Sequence, residues 1–172
     1  MRLDDLNAVD DAAAARELLR CCGSTRWAAR MAAARPFHDP KALAELADRI
    51  WRDLDEVDWR EAFAAHPKIG GAATSAWSAR EQSGIGGAAR DVIDRLAAAN
   101  RDYDARFGYI FIICATGQSA ADMLAALEAR LGHAPDEELR IAAEEQRRIT
   151  RLRLIKLLED EAAPAPAETS RS

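Results

Sequence analysis

Only one stretch of this chain has the composition of a β-strand, Tyr109 to Ala115, reading YIFIICA. A strand must pair its backbone N–H and C=O groups with a neighbour, because buried backbone polar groups do not go unpartnered. Nothing else in the sequence reads convincingly as strand. A lone strand has no ladder to join, so this segment is expected to be a buried extended or partly helical piece. Period alone does not separate those forms in so short a run. The rest of the ordered chain then has to be helical.

The punctuation of the sequence agrees with that expectation. Asp11 to Cys22 reads as a helix closed by Gly23. Ser24 can cap a second helix that stops near Arg35, because Pro36 follows. Asp39-Pro40 is a cap residue followed by a first-turn proline. The helix it opens, to about Leu54, carries Leu43, Leu46, Ala47 and Ile50 on one face. A short helix is expected over Asp58 to Ala65, and a long one over Ala88 to Phe107, ended by Gly108. Ser119 caps the next, which runs to Leu131 and stops at Gly132. Pro135 and Asp136 open the last, about Asp136 to Glu161. Between these lie a loop from His66 to Ser78 containing Pro67, Gly70 and Gly71, one polar helical turn, and a second interruption at Gly84, Gly86 and Gly87. The expected fold is all-α, a single-domain helical bundle of about seven to nine helices over residues 1–161. The Ala/Pro/Ser-rich residues 162–172 are expected to be a disordered tail.

Composition narrows the function. A chain of 172 residues can bury one real core. Its 24 basic and 29 acidic side chains give a formal charge of −5, with the basic residues scattered among acids, so phosphate attraction is weak and nucleic-acid binding is not expected. No apolar run is long enough to span a bilayer, so no membrane association is expected either. Met1 to Asp10 is acidic and lacks the basic-then-apolar order of a secretory signal, and Ser170-Arg171-Ser172 lacks the final leucine of the peroxisomal address. The 3 cysteines, with Cys21 beside Cys22, suit a reduced, cytoplasmic protein.

Several side chains could carry chemistry. His66 ends a helix and precedes Pro67, which pushes its backbone toward an extended conformation and projects the imidazole into a glycine-containing loop. Histidine titrates near neutral pH, which suits acid/base work. His38 reads as a loop histidine, and His133 follows a helix-ending glycine, where an interaction with the helix C-terminus suffices. Glu81 lies in Ser78-Ala79-Arg80-Glu81-Gln82. Ser-x-x-Glu is the capping box, so Glu81 can be a cap, a site carboxylate held by that cap, or both. Arg153 shares a helix face with Ile149 and Leu157, and can either snorkel to solvent or be held inward for a carboxylate. Asn100, Tyr103 and Arg106 form a polar stripe in which Asn100 or Tyr103 makes a structural hydrogen bond. Metal chemistry is weakly supported, since no two histidines stand at ligand spacing on one helix and no Cys-x-x-Cys occurs. No dinucleotide, Walker or nucleophile-elbow motif is present.

Taken in order, His66-Pro67-Lys68-Ile69-Gly70, Ser78 to Gly84, Asn100-x-x-Tyr103-x-x-Arg106-Phe107-Gly108 and Phe111 to Ala115 resemble OHCU (2-oxo-4-hydroxy-4-carboxy-5-ureidoimidazoline) decarboxylases. Glu145-x-x-Arg148-Ile149-Thr150-x-Leu152-Arg153-Leu154 is similar to the family's last helix, and the resemblance covers roughly residues 5–160. Each motif alone is short; their order and spacing make the signal specific. The resemblance implies an all-helical fold, a homodimer, no cofactor, and conversion of OHCU to (S)-allantoin in uric acid breakdown. It implies His66 as the catalytic acid/base with Glu81 beside it. Pro67, Ser78, Ala79, Arg80, Glu81 and Gln82, then Phe111, Ile112, Ile113, Cys114 and Ala115, would line the substrate site, with Arg153 as an anchor. The chain departs from the family at Tyr109-Ile110, where many members carry a proline, and at Ala64-Ala65, where an arginine is frequent. Two other readings are a non-catalytic helical interaction module and a small hydrolase using His66 and Glu81 on a ureide. An exposed apolar patch would favour the first, and release of ammonia or urea in place of carbon dioxide the second.

Overall fold

The computed structural model describes residues 1–67 and 88–159. Among these residues there are eight helices and no strand. They are α1 (Leu3–Ala8), α2 (Asp11–Cys22), α3 (Thr25–Ala33), α4 (Pro40–Arg52), α5 (Glu56–Ala64), α6 (Ala88–Phe107), α7 (Ala120–Arg130) and α8 (Pro135–Glu159). The all-α expectation holds. The Ser78 cap, the Gly84 to Gly87 interruption and the tail at 162–172 lie outside the described residues.

The helix starts follow side-chain caps. Asp10, Ser24, Asp39, Asp55 and Ser119 each accept a backbone N–H from the first turn of α2, α3, α4, α5 and α7. Such caps are typically worth about 1 kcal/mol each. The ends follow glycine: Gly23 closes α2 in the left-handed region at φ 87°. Helices α3 and α4 stop at Ala33 and Arg52, two residues short of the sequence reading, as fraying last turns do. Helix α5 starts earlier than expected, at Glu56, because Asp55 rather than a later residue is its cap.

Helix α2 packs on α3 and α8; α4 packs on α3 and α8; α5 packs on α3 and α8; and α6 pairs with α7. Trp27, Leu18, Met31, Leu43, Phe63, Leu127 and Leu154 fill the shared core. The indole N–H groups are spent across helices, Trp27 to the Ala47 carbonyl at 3.1 Å and Trp51 to the Ala143 carbonyl at 2.8 Å. Glu61 accepts both the N–H and the hydroxyl of Thr25, fixing α5 against the start of α3.

The strand-like segment is neither helix nor strand and lacks a ladder, and side chains replace the missing neighbour. Asn100 Oδ1 accepts the Phe111 N–H at 3.0 Å, and Arg130 Nη1 donates to the Ile112 carbonyl at 2.9 Å. Further on, Glu145 accepts the Cys114 N–H at 2.7 Å, and Gln118 Nε2 donates to the Cys114 carbonyl at 3.2 Å. Arg130 is itself held by Glu138, which is fully buried and also accepts from the Tyr103 hydroxyl and His133 Nδ1. Burial and the Glu138 hydrogen bond push the Tyr103 phenol far above its ordinary range, so it stays a donor. The Asn100/Tyr103/Arg106 stripe is therefore structural, and His133 serves the same buried network.

Candidate active site

His66 stands where the ends of α2 and α5 meet the middle of α8. Its N–H bonds to the Phe63 carbonyl at 3.2 Å, continuing the last turn of α5. The approach of α2 to α5 is close. A Cβ built on Gly23 would lie 2.6 Å from Ala65 Cβ, so only glycine permits this contact. That contact brings the end of α2 against the end of α5.

From the other side, α8 presents Gln146, Thr150 and Arg153. Spacings of four and three residues place them on one helix face. Gln146 is fully buried, and its Oε1 lies 2.5 Å from His66 Nε2. Its Nε2 donates to the Cys22 carbonyl at 3.2 Å and to Thr150 Oγ1 at 3.1 Å. Arg153 Nη1 donates to the Cys21 carbonyl at 3.4 Å. Gln146 and Arg153 thus satisfy two carbonyls in the last turn of α2, which would otherwise be orphaned at a helix end. Arg153 is held inward rather than extended into solvent, and its positive charge faces His66.

The electrostatics of the imidazole follow from this placement. Burial lowers the His66 pKa from the ordinary 6.5; the Gln146 hydrogen bond works against this, and the Arg153 charge adds to it. His66 is therefore a neutral imidazole at neutral pH. Burial also pushes the Cys21 thiol up to about 11 and the Cys22 thiol up to about 12, so neither is a nucleophile or redox group here.

His66 forms part of the wall of a cavity of about 230 Å³, together with Arg60, Phe63, Ala64, Asp104, Gly108, Tyr109 and Ile110. The Arg60 guanidinium stacks over the Tyr109 ring at 4.9 Å and donates to the Phe107 carbonyl at 3.3 Å, joining α5 to the end of α6. A cavity of this size takes only a small ligand. Of the sequence-derived candidates among the described residues, His66 alone lines the cavity, and Arg153 acts on it as a nearby charge. Phe111 and Ile112 are buried, Ile113 and Cys114 half-buried, and Pro67 and Ala115 exposed. Ser78, Ala79, Arg80, Glu81 and Gln82 lie outside the described residues. Gln146 was not singled out in the sequence because it sits in the charged run Glu144 to Arg148, which reads as a solvated face. Its spacing to Thr150 and Arg153 was the available signal. Among the described residues no three His, Cys, Asp or Glu side chains converge as a metal site would require.

The fold and site define an all-helical single-domain protein that presents a half-buried imidazole to a small, largely apolar cavity. Comparison with known proteins makes that class specific. The family model for OHCU decarboxylase matches residues 7–155, and the chain belongs to that family. It is 39% identical over 150 residues to the uric acid degradation bifunctional protein TTL of Arabidopsis thaliana, a match covering 83% of this chain and 46% of that protein. The chain thus spans about half the length of that relative. It is 30% identical to the 2-oxo-4-hydroxy-4-carboxy-5-ureidoimidazoline decarboxylase of Amia calva, over 77% of this chain and 79% of that protein. A crystal structure of OHCU decarboxylase in the presence of (S)-allantoin superposes with a TM-score of 0.73 at 37% identity, covering 88% of this chain and all of that one.

Proposed function

We propose that this protein decarboxylates OHCU to (S)-allantoin, with His66 as the acid/base and no cofactor. The observation that carries the reading is the neutral His66 imidazole, clamped by Gln146 at the wall of a small cavity, in a chain of this family. The substrate carries a carboxylate and a hydroxyl on one ring carbon, and the adjacent ring carbon is an imine bearing the ureido group. When the carbon–carboxylate bond breaks, its electron pair forms a double bond between the two ring carbons. The imine pair moves onto nitrogen, which takes a proton. The product of that step is an enol. The hydroxyl then loses its proton to become the carbonyl of allantoin, while the ureido-bearing carbon gains one. Carbon dioxide leaves neutral, so one proton is taken up overall. The substrate is its own electron sink.

The protein therefore orients the carboxylate, manages the hydroxyl proton and delivers a proton to one face of the ring. The last step alone sets the (S) configuration. A neutral His66 accepts the hydroxyl proton and returns one in the reprotonation. Arg153 supplies positive charge near the anionic substrate. Glu81 would hydrogen-bond the hydroxyl or the ureido and ring nitrogens, and Gln82 with the backbone of Ile113 and Cys114 would read the amide-like edges of the ring. A homodimer and a cytoplasmic location belong to the same reading; sedimentation velocity tests the first and imaging of a tagged chain the second.

The test is turnover of freshly prepared OHCU, followed by circular dichroism at the allantoin band. His66→Ala is expected to slow (S)-allantoin formation by about 10²- to 10⁴-fold with the helical spectrum unchanged. Equal rates in the two proteins would remove His66 from the mechanism. Release of ammonia or urea in place of carbon dioxide would remove the decarboxylase reading.

A further inference from the structure

We infer that Gln146 is a positioning residue that holds His66 as its Nε2–H tautomer and leaves Nδ1 as the proton-accepting atom. The catalytic consequence rests on the decarboxylase reading, whereas the tautomer follows from hydrogen bonding alone. Gln146 is fully buried, so each of its polar atoms needs a protein partner. One end of its amide faces the Cys22 carbonyl oxygen at 3.2 Å. A carbonyl oxygen only accepts, so the Gln146 atom there is the NH₂ nitrogen. Its two hydrogens serve Cys22 and the Thr150 hydroxyl at 3.1 Å. The other end is then the amide oxygen, 2.5 Å from His66 Nε2. An amide oxygen also only accepts, so Nε2 carries the hydrogen. A neutral imidazole has one N–H, and Nδ1 keeps its lone pair.

This arrangement lets the ring take and return a proton without moving. Protonation adds a hydrogen at Nδ1 and leaves the Nε2–H to Gln146 bond in place. The choice of glutamine over glutamate also matters. A carboxylate would orient the ring equally well but would stabilise the imidazolium. A neutral amide orients it and leaves the charge balance to the surroundings. Those surroundings are Arg153 on α8, Arg60 on α5, Asp104 on α6 and Tyr109 across the cavity. Gln146 does not line the cavity, so its action on substrate passes through His66.

The tautomer can be read directly in the free protein by long-range ¹H–¹⁵N correlation of histidine-labelled chain at pH 7.5. There are only 3 histidines, and His66→Gln assigns the signal. The expected pattern is a protonated Nε2 and a lone-pair Nδ1; the reverse pattern, or an even mixture, overturns the inference. Gln146→Glu supplies a second readout. The His66 titration and the acid limb of kcat/KM are expected to move together to higher pH, by about 1–3 units. An unmoved His66 titration in a folded Gln146→Glu protein also overturns it. Should that variant fail to fold, the wild-type tautomer decides. A wild-type protein that shows the Nε2–H pattern but does not turn over OHCU would remove the decarboxylase reading and leave the positioning role of Gln146 supported.

Discussion

At the residue scale the site depends on one position that the chemistry does not touch directly. Gly23 allows α2 to end against Ala65, next to His66. Alanine there would have to hold a left-handed backbone at φ 87° and would also meet Ala65 Cβ at 2.6 Å. Gly23→Ala is expected to destabilise by about 2 kcal/mol or more, the left-handed cost and the overpacking cost adding together. Urea denaturation measures it. A displaced Ala65 also shifts His66, so kcat should fall in protein that remains folded at low urea. The second point is pH. Burial and Arg153 lower the folded pKa of His66 below the ordinary 6.5, so the unfolded chain binds a proton first as pH falls. The unfolded state then holds more protons, and stability must rise with pH across that window. The contribution is present above pH 6.5 and is lost as pH falls through the lower, folded value. Replacing His66 by glutamine removes the titrating group. The drop in melting temperature between pH 7 and pH 5 is therefore expected to be smaller in His66→Gln than in the wild type. An equal drop would show that His66 is not buried as the neutral form.

At the scale of elements, the all-helical fold was legible because its boundaries are written in residues with a local mechanism. Asp39-Pro40, Ser119 and Gly108 say where a helix starts or stops without reference to the rest of the molecule. The α1 helix was not legible, since it is a single short turn-and-a-half with Arg2 at its cap position and Leu6 as its one buried residue. The Tyr109 to Ala115 segment was legible only as far as composition goes. What fixes its path is tertiary: Asn100 on α6, Arg130 on α7 and Glu145 on α8 each satisfy one of its backbone groups. His66 could be found from its own neighbours in sequence. Gln146 could not, because its partner is 80 residues away and its flanks are charged. The segment makes a sharp prediction. Asn100→Ala strands the buried Phe111 N–H and is expected to cost about 1–3 kcal/mol. Arg130→Met removes the cation from a fully buried Glu138 and is expected to cost more, about 3–5 kcal/mol. Chemical denaturation of the two variants checks the order. A cheaper Arg130→Met would mean that the Glu138 network is not what carries the segment.

At the scale of the whole molecule, the site lies where the chain closes on itself. The amino group of Met1 donates to the Leu157 carbonyl at 2.8 Å, and Trp51 on α4 reaches Ala143 on α8. The buried cluster runs without a break from Leu6 to Leu154. Helix α8 contacts α2, α4 and α5, and it also carries Gln146 and Arg153, so the groups around His66 cannot be assembled until both ends of the chain are in place. Among the described residues, the α6–α7 pair is the part that could act separately, since its largest interface is internal. It is bound to the rest through Arg60 on the Phe107 carbonyl and through Glu138 of α8 on Tyr103 and Arg130. Those links are buried or charge-assisted, and a partly open form would leave Glu138 without its cation. Unfolding is therefore expected to be a single transition. Tryptophan fluorescence, from Trp27, Trp51 and Trp59 in α3 to α5 and from Trp77 outside the described residues, and far-UV circular dichroism, to which the long α6 and α8 helices contribute most, should give the same urea midpoint and slope. Helical signal that survives after the tryptophan transition would identify α6–α7 as an independent unit, and would mean that the wall of the cavity formed by Asp104, Gly108 and Tyr109 can fold apart from His66.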